Sequence, residues 1–233
     1  MCYYFFLIVL SFLIFFPGCN AKSNLKKQNP EKDTMPVTNF HIEFDSLLTT
    51  PILIQGNLDS LKNIRPSQYE TQILNFIKKN YQLFKLKKPE EELKLSQVKT
   101  DEIGFSHLTF QRQMKSVPVW ADELKFHVNA EKILYQFNGR YRASLSDDFN
   151  CQPQLSLIQA KELAKTDARA TIKTDSIQRS QLIIYPKDRQ LYLAYFFNFQ
   201  EQRLSPVNWD YFVDANTGKI LEKRNNIRIN ERK

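Results

Sequence analysis

Glycine is scarce in this chain, with five in 233 residues, at positions 18, 56, 104, 139 and 218. All five are isolated, which excludes a glycine-rich phosphate-cradling loop, and no Gly-x-Ser-x-Gly nucleophile elbow occurs. Collagen-like and linker-like chains are excluded on the same ground. Cysteine is scarcer still: Cys2, Cys19 and Cys151. The first two fall at the N-terminal end, so Cys151 has no partner for an internal disulfide and reads as a small buried hydrophobe. There are three histidines, His41, His107 and His127. None is followed by Glu in a His-Glu-x-x-His pattern, so the helix of a zinc peptidase is missing. A site built from His107 and His127 across two strands is conceivable, but no Cys or carboxylate pattern joins them, and neither a metal nor a cofactor is expected. Asp147-Asp148 has no acid–base partner and reads as a solvated turn. Trp120 and Trp209 lie in strand-like runs and read as core. Nothing in the chain argues for catalysis. A polytopic membrane protein is also excluded, because after the first apolar run no other approaches the ~20 residues of a bilayer-spanning helix.

That first run is the most distinctive segment. Residues 1–18 carry no charge, and Tyr3–Phe16 is an uninterrupted apolar stretch apart from Ser11. It reads as a signal peptide core. Pro17-Gly18-Cys19-Asn20 then resembles a bacterial lipobox, which implies a lipidated Cys19 and a membrane-anchored lipoprotein facing the periplasm or exterior. A positive n-region is absent, and Phe16 and Pro17 depart from the usual residues. An uncleaved N-terminal anchor is the alternative. Residues 19–36 are polar and read as a flexible tether.

Most of the net charge of +8 sits in two basic ends, the segment 19–35 and the tail 219–233. The middle is near neutral, which is not the basic face of a nucleic-acid binder. Solvated, mobile chain accounts for both ends. The alternatives are attraction to anionic lipid at the front and to an acidic partner at the back.

The body reads as α+β. Ser67-Gln-Tyr-Glu70 has the form of a capping box, and Tyr69, Ile73, Phe76 and Ile77 follow at helical spacing, predicting a helix over about 67–82. Pro89 and the Lys/Glu residues around it read as a loop. Period-two segments then follow at 93–98, 105–114, 119–128 and 133–142, with hairpin-sized spacers. Phe105, His107 and Thr109 share one face; Leu108, Phe110 and Met114 lie near the other. Ser156-Leu-Ile-Gln159 is a second capping box, ahead of Ala160, Leu163, Ala164, Asp167 and Ala168. Strands are expected at 181–187, 190–199, 208–215 and 219–223, with a tight turn over Asp214–Gly218. Two modules are therefore expected, 37–148 and 149–223, each a helix packed on an antiparallel β-sheet and followed by a basic tail, 224–233.

Two segments carry a family resemblance. The first is Gly104-Phe-Ser-His107 through Gln113, then Val117-Pro118-Val119-Trp120, Glu123-Leu124, His127-Val128 and Asn138-Gly139. It resembles the propeptide motif of fungalysin- and thermolysin-type peptidases. The second, Trp209 to Leu221 with Tyr211, Asp214 and Gly218, together with the Ala-rich helix, resembles the PepSY-like (cystatin-like) half of the same propeptides. Pro51–Gly56 sits where such propeptides begin. There are departures: Thr109 stands where the family often has Arg, and Ser116, Ala121 and Lys132 stand where it has Gly.

The resemblance implies an intramolecular chaperone and inhibitor of a zinc peptidase, yet the chain ends about where that peptidase would begin. The expectation is a non-enzymatic envelope lipoprotein that binds a thermolysin-like zinc metallopeptidase in trans, as inhibitor or chaperone. The tail, with Arg224, Arg228 and Arg232, would run toward that partner. The alternatives are a general envelope protein-binding module and the remnant of a truncated precursor.

Overall fold

The computed structural model describes residues 40–143, 145–172, 176–201 and 207–227. The chain divides into Met1–Val37 and Thr38–Lys233, and every described residue belongs to the second unit. The signal segment, the tether, Cys19, Arg228 and Arg232 thus lie outside the described residues. Among the described residues no helix is long and apolar enough to cross a membrane.

Strands β1 (His41–Phe44) and β2 (Pro51–Ser60) open the body. A short 3₁₀ turn, Pro66–Gln68, leads into α1 (Tyr69–Lys79), α2 (Tyr81–Phe84) and α3 (Pro89–Glu92). Next come β3 (Leu93–Thr100), β4 (Ser106–Met114), β5 (Val117–Val128) and β6 (Ile133–Arg140). Helix α4 (Leu157–Thr171) precedes β7 (Ile177–Lys187), β8 (Gln190–Glu201), β9 (Val207–Asp214) and β10 (Ile220–Asn225).

Three expectations need correction. First, there are not two separate helix-on-sheet modules: the ten strands form one connected sheet, ordered β1-β2-β6-β5-β7-β8-β9-β10, with β3 and β4 added at β5. The join lies in β5. Its Glu123–Val128 half pairs with β6, while Val119 pairs in parallel with Ile184 of β7. Because β4 occupies the opposite edge, β6 and β7 share one edge of β5 in succession. Second, the helix of 67–82 is shorter and starts differently. Pro66 fixes φ one residue early, so Ser67 falls inside the 3₁₀ turn and does not cap α1. Asn80, with φ −104° and ψ 38°, ends α1, and its side-chain Nδ2–H donates to Phe76 O at 2.8 Å. Third, Pro89–Glu92 is a helical turn, with Pro89 at the position where a missing N–H costs nothing.

The second capping box forms as read: Ser156 N–H donates to Gln159 Oε1 at 2.8 Å and Gln159 N–H to Ser156 Oγ at 3.3 Å.

The core is in two main parts. Ile73, Phe76 and Ile77 of α1 pack on Leu108, Phe110, Leu124, Phe126, Leu134 and Phe137. In the second half, Ala160, Ala164 and Ala168 are fully buried against Phe197, Phe199, Tyr211 and Val213. Three alanines on one stripe let α4 lie close to a sheet face built of bulky aromatics. A smaller cluster of Val119, Cys151 and Ile184 fills the joint between the halves. Burial pushes the Cys151 thiol above its ordinary value, the reverse of an activated nucleophile.

Candidate functional site

The site grows from the pairing of β4 with β5. Alternation turns Leu108, Phe110, Leu124 and Phe126 inward and leaves His107, Thr109, Glu123, Lys125 and His127 on the outer face. The register sets His107 directly opposite His127. Their Nδ1 atoms are 2.6 Å apart, a hydrogen-bond distance. The pair is the middle of a longer polar run: His107 Nε2 lies 3.3 Å from Asp101 Oδ2, and His127 Nε2 lies 2.6 Å from Asn138 Oδ1. Asp101 is set by the turn that enters β4. Its Oδ1 accepts from Ile103 N–H at 3.1 Å and Phe105 N–H at 2.8 Å, and Gly104 closes the turn at φ +82°.

The Nδ1 to Nδ1 link carries a single proton, whichever ring donates. With His127 Nε2–H donating to Asn138, the proton of the link sits on His107 Nδ1. A second proton between the two rings would set N–H against N–H. Burial is the main cause that holds the His127 imidazole below its ordinary value; the bond to Asn138 works against it, and His107 and Lys125 add to it. At Asp101 burial pushes up, but the Phe105 N–H, His107 and the Ile103 N–H outweigh it and hold the carboxyl low.

A pH dependence follows. Below the 6.5 of a free imidazole, the unfolded chain takes a proton at residue 127 that the folded chain still refuses. The unfolded state then binds more protons, so stability falls as the pH drops through this window. The Asp101 contribution is lost only below its unfolded 3.8, outside the window. The urea midpoint of the full chain is expected to fall between pH 7 and pH 5, and to fall less in His127→Gln. An identical slope in that variant would remove His127 as the cause.

The second part of the site is the joint in β5. Gln111 pairs with Glu123 and Gln113 with Pro118, so Arg112 alone faces the stretch Val119–Asp122. This is a large bulge, and Ala121 within it has φ +61°. The Gln111 amide fills the bulge, donating to Val119 O at 2.7 Å and Asp122 O at 2.9 Å. Inside it, Arg112 is 2% exposed and Asp122 1% exposed. Four N–H bonds of the Arg112 guanidinium go to the carbonyls of Glu92, Gln113, Arg142 and Ala143, and its Nη2 is ion-paired with the Glu92 carboxylate at 2.7 Å. Asp122 accepts from Arg142 N–H at 2.7 Å and from the Arg142 guanidinium. The two buried charges thereby fix the chain that leaves β6.

The remaining motif residues are mainly structural. Gln113 Nε2–H donates to Glu91 O at 3.0 Å. Glu123 lies on the outer face, 3.4 Å from Lys125. A Cβ at Gly139 would stand 2.5 Å from Glu123 O, so these two motif positions are matched across the strands. In the other half, Tyr211 is buried between α4 and the sheet. Asp214 Oδ1 accepts from Asn216 N–H at 2.8 Å and Thr217 N–H at 2.9 Å, and Gly218 finishes that turn at φ +77°. Arg224 is engaged within the fold, 2.9 Å from Glu222 Oε1 and over the Phe212 ring. The structure therefore joins His107, His127 and the Gly104 turn into one constellation and leaves Tyr211, Asp214 and Gly218 as a separate one.

No motif in the sequence marks Asp101, Arg112 or Asp122 as a site residue. Arg112 and Asp122 had a signal: each continues the inward-facing parity of an apolar strand. Among the described residues no group of three or more His, Cys, Asp or Glu is arranged to hold a metal ion.

Residues 91–141 match the family model of the Fungalysin/Thermolysin Propeptide Motif. The chain is 28% identical over 226 residues to bacillolysin of Bacillus amyloliquefaciens, covering 94% of this chain and 39% of that protein. It is 30% identical over 182 residues to thermolysin of Alicyclobacillus acidocaldarius subsp. acidocaldarius, covering 76% and 33% respectively. It thus spans about a third of the length of such relatives, 39% at most in these two. Among solved structures, the Bacillus megaterium YpeB C-terminal domain aligns at a TM-score of 0.39 and 15% identity, over 82% of this chain and 91% of that one. The matched segment is a propeptide motif and not a catalytic domain. The chain is related to thermolysin-type peptidases and carries a fungalysin/thermolysin propeptide motif, seated on α3 and β3–β6 with the histidine pair inside it.

Proposed function

We propose that this chain is a non-catalytic partner of a thermolysin-type zinc metallopeptidase, which it binds in trans as inhibitor or folding chaperone. The observation that carries the reading is the propeptide motif at 91–141, on a chain that aligns almost throughout with the peptidase bacillolysin. A connected ten-stranded sheet suits the role, because a preorganised surface loses little conformational freedom on docking. In this reading residues 149–223 are the PepSY-like half and the tail runs from β10 toward the peptidase cleft. Arg228 and Arg232 are offered to the partner, with Arg224 holding the base of the tail. Lipidated Cys19 anchors the chain in the cell envelope.

The test adds the full chain, purified in mild detergent, to a separately produced thermolysin-type catalytic domain. Hydrolysis of a peptide substrate is expected to slow at micromolar chain, and refolding of the denatured domain to give more active enzyme. No slowing together with no gain in refolding would overturn the reading. Mass spectrometry of the N-terminal peptide tests the anchor: an acyl mass on Cys19 supports it, and an intact Met1 peptide rejects it.

A further inference from the structure

A cleft of about 620 Å³ opens beside the buried Arg112, between the loop after α2, the β4–β5 turn and the chain that leaves β6. Its lining is partly apolar, with Met114, Ala143 and Leu145. Its charges are unbalanced. Glu91 and Glu92 are already answered, by Lys88 at 3.2 Å and Arg112 at 2.7 Å. Against the one further lining carboxylate, Asp147, stand Lys85, Lys87 and Lys115.

None of these three lysines has a carboxylate partner among the described residues. Lys85 donates to Thr49 O at 2.9 Å and Thr49 Oγ1 at 3.0 Å. Lys115 donates to Asp147 O at 3.0 Å and Phe149 O at 3.1 Å. Neutral carbonyls hold these ammonium groups in place without cancelling their charge. Lys87 has no bonded partner among the described residues and is exposed.

We propose that this cleft docks an acidic peptide segment of a protein partner, one that presents two carboxylates around an apolar side chain. The surplus of two positive charges sets the number of carboxylates, and the apolar part of the lining selects the apolar residue. A volume of this size lies within the usual ~300–1,000 Å³ of a ligand site and admits a few residues. Three carboxylates in the same lining disfavour a polyanion such as nucleic acid, and a concave mouth disfavours a flat lipid surface. The proposal goes beyond the peptidase reading and does not need the partner to be a peptidase.

The test is fluorescence anisotropy of a labelled acetyl-Glu-Leu-Glu-amide peptide against the full chain in a non-ionic detergent, with acetyl-Gln-Leu-Gln-amide as control. The acidic peptide is expected to bind at least ~10-fold tighter than the control and to weaken several-fold as salt screens the rim. Lys87→Glu with Lys88→Glu is expected to remove ~10-fold or more of the affinity with the thermal midpoint preserved. Lys62→Glu, on the loop after β2, leaves binding unchanged. Equal binding of the two peptides, no saturable binding at millimolar chain, or full affinity in the folded double variant would overturn the proposal. A peptidase that is still inhibited by the double variant separates this cleft from the inhibitory surface.

Discussion

Arg112→Met is expected to lower the stability of the folded body by about 3–5 kcal/mol, the usual cost of breaking a buried, hydrogen-bonded charge pair. Methionine keeps much of the side-chain bulk, so the loss is polar in origin. Four carbonyls, of Glu92, Gln113, Arg142 and Ala143, lose their donor at once, and the Glu92 carboxylate loses its counter-ion. Buried acceptors left without donors carry the desolvation penalty in full. Arg112→Lys separates charge from geometry. It keeps the positive charge, but one ammonium cannot reach five acceptors, so a loss of about 2 kcal/mol or more is expected. Urea unfolding at pH 7 reads both variants as a lower midpoint at unchanged slope. Limited trypsin digestion adds a local readout: Arg142, whose N–H is held by Asp122, is expected to be cut earlier in Arg112→Met. A cost under about 1 kcal/mol would mean that water replaces the guanidinium at the joint, and that the exit of β6 is held by Asp122 alone.

The same residue shows how far the sequence could be read. Period-two patterning placed β3 to β10 within a few residues and put His107 and Thr109 on the face opposite Leu108 and Phe110, because alternation is a local property of the strand. Strands β1 and β2 carry no such signature. Gly56 and the polar residues after it blur the alternation in β2, and β1 is four residues long. The single sheet was also invisible. The link between the halves is one parallel pairing, Val119 with Ile184, at a bulge whose extra residues look like ordinary strand in the sequence. Long-range pairing of this kind leaves no periodic trace. The alternation brings out the histidines but not their connection. Asp101 and Asn138 reach them from a turn and from a neighbouring strand, and only the register decides that they meet. Arg112 and Asp122 were legible in principle. An Arg after Leu108 and Phe110, and an Asp ahead of Leu124 and Phe126, point inward by parity. A charge at an inward position asks for buried partners.

Placing glycine at 116, 121 and 132 together is expected to stabilise the body. The family resemblance expects glycine at these positions, and the structure gives the physical reason. Ser116, Ala121 and Lys132 have φ of 67°, 61° and 60°, the left-handed region that a Cβ disfavours. Lys115 and Ser116 are the central pair of the β4–β5 turn, and both have positive φ, as a two-residue hairpin turn demands. All three side chains are exposed, so little packing is lost on removing them. Relief of backbone strain, less the greater freedom of glycine in the unfolded chain, leaves about 0.5–1 kcal/mol per site. The sites lie in separate turns and bulges and should add, for a total of about 2 kcal/mol. For a folded body of this size that raises the thermal midpoint by roughly 4–8 °C. Ala170→Gly, on the exposed face of α4, is the opposing control and should lower stability by up to ~1 kcal/mol, because there glycine adds only unfolded-state entropy. An unchanged midpoint in the triple variant would mean that these turns accept a left-handed side chain without strain.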